Sequence, residues 1–568
     1  MKKILICSLF LFICNLAFGA QPNCKATDQF PLQVMQAELK RNFKTLKKQK
    51  PPIYYLSYTY TDQDTYSLWV DANGIGDDTA DHTGYIEVTA RAGDEKTDNT
   101  RFLSNGDRAD YVYMRREISQ LNEKDPLAFR RYLWNATQQS AERAQSDLDK
   151  VKSDAQTSAE RQDDSNDFVL PPKSSYCRTQ EKVEADTQRI KEMLVRLSNV
   201  TRGHKEVLYS SFDFSIRQGT RYFVDSVGSQ IVTPFLWMRL SYSFEGKTAD
   251  GLELMRSKSY DVISTDELPD EDSLRQDMEK SLAELNELTN APEAEPITVP
   301  TILNNRAMAV FVHEVLGHRM EGHRQKQNSF GKTFTDKIGQ AVTVPFISII
   351  DDATLETFNG KPLRGFYEYD DEGVKVRPVT LIENGVLREF LMGSSPIKGF
   401  SASNGHGRRQ IGNSPVARMG VTRLIASETV PYEELEKQLI EEVKRQGKPY
   451  GYVIDDLSGG FTQIYSGRAQ VFKLTPQYVY RIYPDGRKEV VRGADIVGTP
   501  LVSFSQIKAA ASDDAVFNGT CGAESGWVPV SAIAPSVLLK SLEIEKTAKS
   551  SSKPPVLPAP MAILKESK

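Results

Sequence analysis

The sequence predicts an α+β protein of two domains, an N-terminal α/β domain with antiparallel strands followed by a β-rich C-terminal domain. Three observations lead there. At 568 residues the chain exceeds the size that one hydrophobic core serves. Runs rich in Tyr, Val, Ile and Thr occur on both sides of a stretch at 290–300 that carries three prolines. Helical periodicity is concentrated before that stretch, whereas strands and glycine-marked turns dominate after it.

Taken in order, residues 1–20 carry Lys2 and Lys3, an apolar run, and small residues at Ala17, Gly19 and Ala20, the pattern of a cleavable export signal. A retained anchor is the alternative, but the run is short for a spanning helix. The expectation is an exported protein, periplasmic or extracellular in a bacterium, without a stable membrane anchor after cleavage. Residues 21–290 form the first domain. Leu32, Met35, Leu39, Phe43 and Leu46 recur at helical spacing until Pro51 and Pro52 end the pattern. Strands are predicted at 53–69 and 85–89, then at 207–216, 220–227 and 235–244. Between them, 125–152 reads as a long helix whose polar second half, continuing to 167, predicts a solvated arm or loop. Helices are also predicted at 181–197 and 272–288.

The second domain spans 291–545. Strands are expected at 344–351, 379–391, 450–457, 469–482 and 488–496, with one clear helix at 431–446. The tail at 546–568, with its SSSK and PPVLPAP runs, reads as disordered. A net charge of −5 gives no basic footprint, so nucleic acid is not an expected partner.

Residues 311–323, FVHEVLGHRMEGH, hold three of the six histidines. Met308, Phe311, Val312, Val315 and Leu316 make an apolar stripe at helical spacing, which leaves His313, Glu314 and His318 on the other side. Imidazole pairs with a neighbouring carboxylate suit a metal site. Five residues separate the histidines, so at about 100° per residue a regular helix would splay their rings by roughly 140°. A π-type turn, helped by Gly317, would bring them together. The alternative is a polar helix face meeting solvent. Glu314 is read as a general base, with direct ligation the other option. Glu321 is either a further ligand or an acceptor that orients a histidine ring, and His323 reads as a solvated helix end.

Without the leader three cysteines remain, Cys24, Cys177 and Cys521. Cys521 lies between Gly519 and Gly522 and is either a buried structural thiol or a thiolate ligand. Used as a ligand, it would leave Cys24 and Cys177 to pair.

The segments HEVLGHRMEG, YDDEG at 369–373, LIENGVL at 381–387, NGHGRR at 404–409 and TCG at 520–522 together resemble the TldD/PmbA family of zinc metallopeptidases, also called modulators of DNA gyrase. The likeness covers about 296–530, and the sequence resembles the active, HExxxH-bearing kind of subunit. The resemblance implies one zinc per chain on His313, His318 and Cys521, water activation by Glu314, a peptide substrate, and a homodimer or a heterodimer with a related chain. In the same half, His406 and Arg408 are candidates for the substrate channel or for a structural turn. Two rival readings stand beside an exported peptidase of flexible peptides: a catalytically silent binding or scaffold protein, and a zinc hydrolase acting on amides of cell-wall material.

Overall fold

The computed structural model describes residues 22–101, 103, 113–118, 125–157, 163–326, 330–463 and 471–549. The export signal expected at 1–20, most of the tail expected at 546–568, and 158–162 of the expected arm lie outside the described residues. Among those described, no helix is long and apolar enough to cross a membrane.

The N-terminal half is one antiparallel sheet of long strands. It comprises β1 (Ile53–Asp71), β2 (Gly74–Ala92), β3 (Tyr113–Ile118), β4 (Ser175–Cys177), β5 (Val207–Asp225), β6 (Gln230–Lys247) and β7 (Glu253–Val262). The order is β3-β2-β1-β5-β6-β4, with β7 also on β6 and only β4 running parallel to its neighbour. The strands expected at 207–216 and 220–227 are a single strand, because pairing with β6 continues through Gly219.

Four helices flank the sheet: α1 (Phe30–Leu46), α2 (Pro126–Thr157), α3 (Thr187–Ser198) and α4 (Glu271–Asn290). A 19-residue strand spans roughly 60 Å, long enough for two helix pairs to sit end to end. Leu56, Tyr58 and Tyr60 of β1 pack with α1 and α2. Leu68 and Val70 pack with α3 and α4. All five are even-numbered, so both pairs cover one face. The opposite face carries buried Tyr55, Ser57, Thr59, Thr61 and Gln63 and meets the C-terminal half, where Phe223 of β5 packs on Tyr369.

Two helix expectations are corrected. Helix α3 begins at Thr187 rather than 181, because the Asp186 carboxylate accepts the Arg189 backbone N–H and caps it. The second half of α2 is packed on the sheet as far as Val151, while 152–157 are mostly exposed, as a solvated arm would be. Ala136, Ser140, Ala144, Leu148 and Val151 form a buried stripe, and Ser140 donates to the Val88 carbonyl while Thr137 meets the Tyr58 hydroxyl at 2.6 Å. Small side chains let the helix lie close on the sheet although composition makes it look polar. A disulfide joins Cys24 to Cys177.

Only 291–296 separate α4 from the next strand, β8 (Ile297–Leu303), so the stretch expected as a linker at 290–300 is partly sheet. Helix α5 (Asn305–Phe311) follows. One C-terminal sheet runs Gly451–Thr462, β8, Val537–Lys546, Ala494–Gly498, Phe472–Ile482, and pairing of the last with the first closes it into a barrel. A second contains β9 (Ile347–Asp351), Val379–Glu383, Val386–Leu387, Val421–Ala426 and the hairpin Ala515–Ala523/Gly526–Ala534. Helix α5 lies between the two, with Phe311 edge-on to Phe472 at 5.4 Å and a core shared with Val528 and Val530.

The packing of α2 is testable. Ala144 is fully buried against β2, so Ala144→Leu should cost about 1–3 kcal/mol by urea denaturation. Gln138→Ala, on the exposed face, should change stability by less than about 0.5 kcal/mol. Equal midpoints for both would mean that this face of α2 is solvated.

Candidate metal centre

Helix α5 is buried almost all round, since Ala307 to Val312 are each 2% exposed or less. It runs into a π turn, Val312–Leu316, and then a 3-10 turn, Gly317–Met320. The wider turn takes up the fifth residue between the histidines, and the two rings meet with centroids 5.2 Å apart at 78°. Gly317 contributes space rather than conformational freedom. Its φ is an ordinary −52°, but a Cβ there would stand 2.0 Å from the Met419 sulfur.

Cys521 arrives from the facing hairpin, in register with Val528, and its Sγ lies 3.3 Å from His318 Nε2. One donor atom each from His313, His318 and Cys521 falls within 4.8 Å of the others. Burial alone would raise the thiol pKa, but the His318 and His313 imidazoles hold it well below its ordinary value. The Nδ1 of His313 is buried with no hydrogen-bond partner among the described residues. Two imidazoles, a thiolate-forming sulfur and an orphaned buried nitrogen fit a zinc ion.

Glu314 is on the same turn, with Oε2 4.0 Å from His318 Nε2 and 17% of its side chain exposed. A Cβ on Gly460 would come within 3.2 Å of its Cγ, so that glycine keeps the barrel edge clear of the carboxylate. Burial raises the Glu314 pKa, with His313 and His318 opposing.

Behind the histidines sits a charged layer. Glu321, with no exposure, accepts from His318 Nδ1 at 3.3 Å and from Arg324 Nε at 2.8 Å, and lies 3.4 Å from Arg418. Its contact with His318 Nδ1 is the one an orienting acceptor would make, and His318 Nε2 faces Cys521. The arginines and His318 hold its pKa down at about 2 against burial. Arg418, also fully buried, donates to the Cys521 carbonyl at 2.7 Å, and Arg324 reaches on to Glu524.

His323 is not a solvated helix end. It is 5% exposed and packed edge-on to Phe330, with Glu524 at 3.8 Å, because the chain turns inward after Met320. His406 is fully buried between Asn404 and Asp351, at 2.9 and 3.3 Å, and is absent from the wall of the large cavity between the halves. Arg408 does border that cavity, stacked 4.5 Å over Tyr367 and bonded to the Pro529 carbonyl at 2.7 Å. Arg324, Arg418 and Glu524 were not singled out from sequence. Arg324 had a signal, lying three residues after Glu321 in a helical stretch. Arg418, distant from every motif, had none.

Removal of the Glu321 carboxylate takes one counter-charge from two buried arginines. Glu321→Ala should therefore lower stability by about 3–5 kcal/mol in denaturant titrations. A loss below about 1 kcal/mol would show that the charged layer does not hold the centre together.

Residues 296–546 match the PmbA/TldA metallopeptidase C-terminal domain. A metalloprotease of Methanocaldococcus jannaschii is 30% identical over 40% of this chain and 47% of its own length. A metalloprotease TldD homolog of Haemophilus influenzae is 29% identical over 44% of this chain and 48% of its own. A metalloprotease of Archaeoglobus fulgidus is 26% identical over 68% and 85%. The chain thus spans about half the length of the first two. The fold likeness reaches further. TldE from Thermococcus kodakarensis superposes with a TM-score of 0.59 at 15% identity over 90% of this chain and all of its own. A putative modulator of DNA gyrase from Thermotoga maritima gives 0.56 at 17% over 90% and 99%. The stretch that matches the PmbA/TldA metallopeptidase C-terminal domain holds both histidines and the cysteine, and the likeness of this chain to the TldD/PmbA family rests on it.

Proposed function

We propose that the protein is an exported zinc peptidase that cleaves flexible or unfolded peptides, with one zinc per chain on His313, His318 and Cys521 and with Glu314 as general base. The convergence of those three donor atoms within 4.8 Å, beside a partly exposed carboxylate, carries the reading. Relatives named metalloproteases and, in Saccharolobus solfataricus, a zinc metalloprotease TldD homolog support its chemistry. The Cys24–Cys177 disulfide supports an oxidising compartment.

Bound zinc would polarise a peptide carbonyl and lower the pKa of water at the site. The residues divide the remaining work. Glu314 accepts a proton at its carboxylate as water attacks and returns it to the leaving nitrogen. Glu321 keeps His318 Nδ1 engaged, so that Nε2 is the nitrogen presented to the centre. Gly460 beside Glu314 has no side chain to crowd the carboxylate, and pairing of a substrate backbone with the neighbouring strands would give weak sequence preference. The proposal extends to a dimer with itself or with a related chain.

Wild type should contain one zinc per chain and digest an unfolded casein or peptide library, and chelation should abolish digestion. His318→Ala should lose the metal by elemental analysis. Glu314→Gln should keep the metal while hydrolysis falls about 100-fold or more. Full activity in Glu314→Gln would remove the base assignment, and bound zinc with no cleavage of any peptide would leave a binding protein.

A further inference from the structure

The cavity between the N-terminal sheet and the C-terminal half measures about 430 Å³, within the roughly 300–1,000 Å³ common for small-ligand sites. Strand register decides what lines it. Arg217 of β5 stands opposite Trp237 of β6, and Gly219 opposite Phe235, all on the face turned toward the C-terminal half. The Phe235 and Trp237 rings stack with centroids 5.2 Å apart, and the Arg217 guanidinium lies 5.2 Å from the indole. Gly219 is required by its own strand pairing first, since a Cβ there would stand 2.0 Å from the Asp62 carbonyl oxygen and 2.9 Å from the Phe235 ring.

A second cation, Arg364, enters from the C-terminal half with Nη1 3.3 Å from Asp261. That carboxylate is already gripped at both oxygens by Arg239, each at 2.9 Å. Arg217 donates Nε to Gln63 and forms no ion pair among the described residues. Arg364 Nε is buried without a hydrogen-bond partner among them. Burial and then the neighbouring Arg239 push the Arg364 pKa down to about 10, with Asp261 opposing. The other acids that line the cavity are engaged: Glu87 is held by Arg409 through both oxygens at 3.1 Å, Glu356 and Glu368 pair with Arg178 at 2.8 Å, Asp371 pairs with Arg221, and Asp370 accepts the backbone N–H groups of Val374 and Gly407, each at 2.9 Å. Two guanidiniums, Arg239 and Arg364, therefore share the one Asp261 carboxylate, and Arg217 stands beside an aromatic wall with an amide as its partner. Cationic forks that burial deprives of water call for an anion, and the adjoining rings call for apolar surface on the same molecule.

We propose that this cavity binds a carboxylate bearing an aromatic or branched apolar group, its oxygens on Arg217 and Arg364 and its apolar group against Phe235 and Trp237. None of His313, His318 and Cys521 lines the cavity, although Val528, the cross-strand partner of Cys521, does. The proposed contacts thus use none of the three candidate metal ligands, and the proposal does not rest on the peptidase reading.

Isothermal titration calorimetry on the full chain, before and after chelation, tests it. N-acetylphenylalanine should bind in both states, and N-acetylphenylalaninamide and acetate should each bind at least about tenfold more weakly. Arg217→Gln and Arg364→Gln should each weaken the acid about tenfold or more without changing the near-UV circular dichroism. Arg217→Lys, which keeps charge but loses the fork, should fall between wild type and Arg217→Gln. A peptide ending in free phenylalanine that binds better than N-acetylphenylalanine, while its amide does not, identifies a peptide terminus as the source. Equal affinity of the two acids identifies a small carboxylate. The proposal is overturned if acid and amide bind alike, if inorganic phosphate binds as well as N-acetylphenylalanine, if neither arginine variant weakens binding, or if no carboxylate binds.

Discussion

The centre depends on a carboxylate buried where water cannot screen it. Glu321 touches His318, Arg324 and Arg418, and Arg418 in turn holds the carbonyl of Cys521. One acidic group therefore ties the turn carrying both histidines to the hairpin carrying the cysteine, across about 200 residues of sequence. Fully buried ions hold their arrangement only when each has a partner, so loss of any member leaves an uncompensated charge. That requirement is stricter than apolar packing. It fixes which way the His318 ring faces and where the hairpin stops relative to it.

Much of this was legible from residue spacing. The interval from His313 to His318 is one position too long for a regular helix, and the π turn supplies that position. What was not legible came from packing. The polar look of α2 concealed a stripe of Ala, Ser and Thr that fits closely on β2, because small side chains carry little hydrophobic signal. His323 looked like a helix end because the inward bend after Met320 depends on contacts with Leu391, whose N–H meets the Met320 carbonyl. Gly317 stood in the right place for a different reason, the approach of Met419 from about a hundred residues away. The hairpin that delivers Cys521 and the strand after it, Val537–Lys546, lie beyond the last predicted strand, although Cys521 itself was singled out.

The two halves meet across a surface where polar contacts surround a small apolar cluster, Tyr176, Phe223 and Ile231 on Tyr369. Long strands let the N-terminal sheet bury one face beneath four helices and offer the other to the C-terminal half, where Thr59, Thr61, Gln63, Arg217 and Arg221 project. Arg221 bonds to the Tyr369 carbonyl there at 2.7 Å. Such a junction holds alignment through directed bonds and leaves room for a cavity, which a continuous apolar core would have filled. The family model matches only the C-terminal half, yet the fold likeness to TldE spans 90% of the chain.

The central claim is that two imidazoles and the Cys521 sulfur form one zinc site. X-ray absorption at the zinc edge of the full-length, metal-loaded chain tests it most directly. The predicted spectrum has one sulfur and two imidazole nitrogens in the first coordination shell, and the sulfur contribution disappears in Cys521→Ser. A shell of nitrogen and oxygen alone in the wild type, or a sulfur contribution that survives Cys521→Ser, would contradict it.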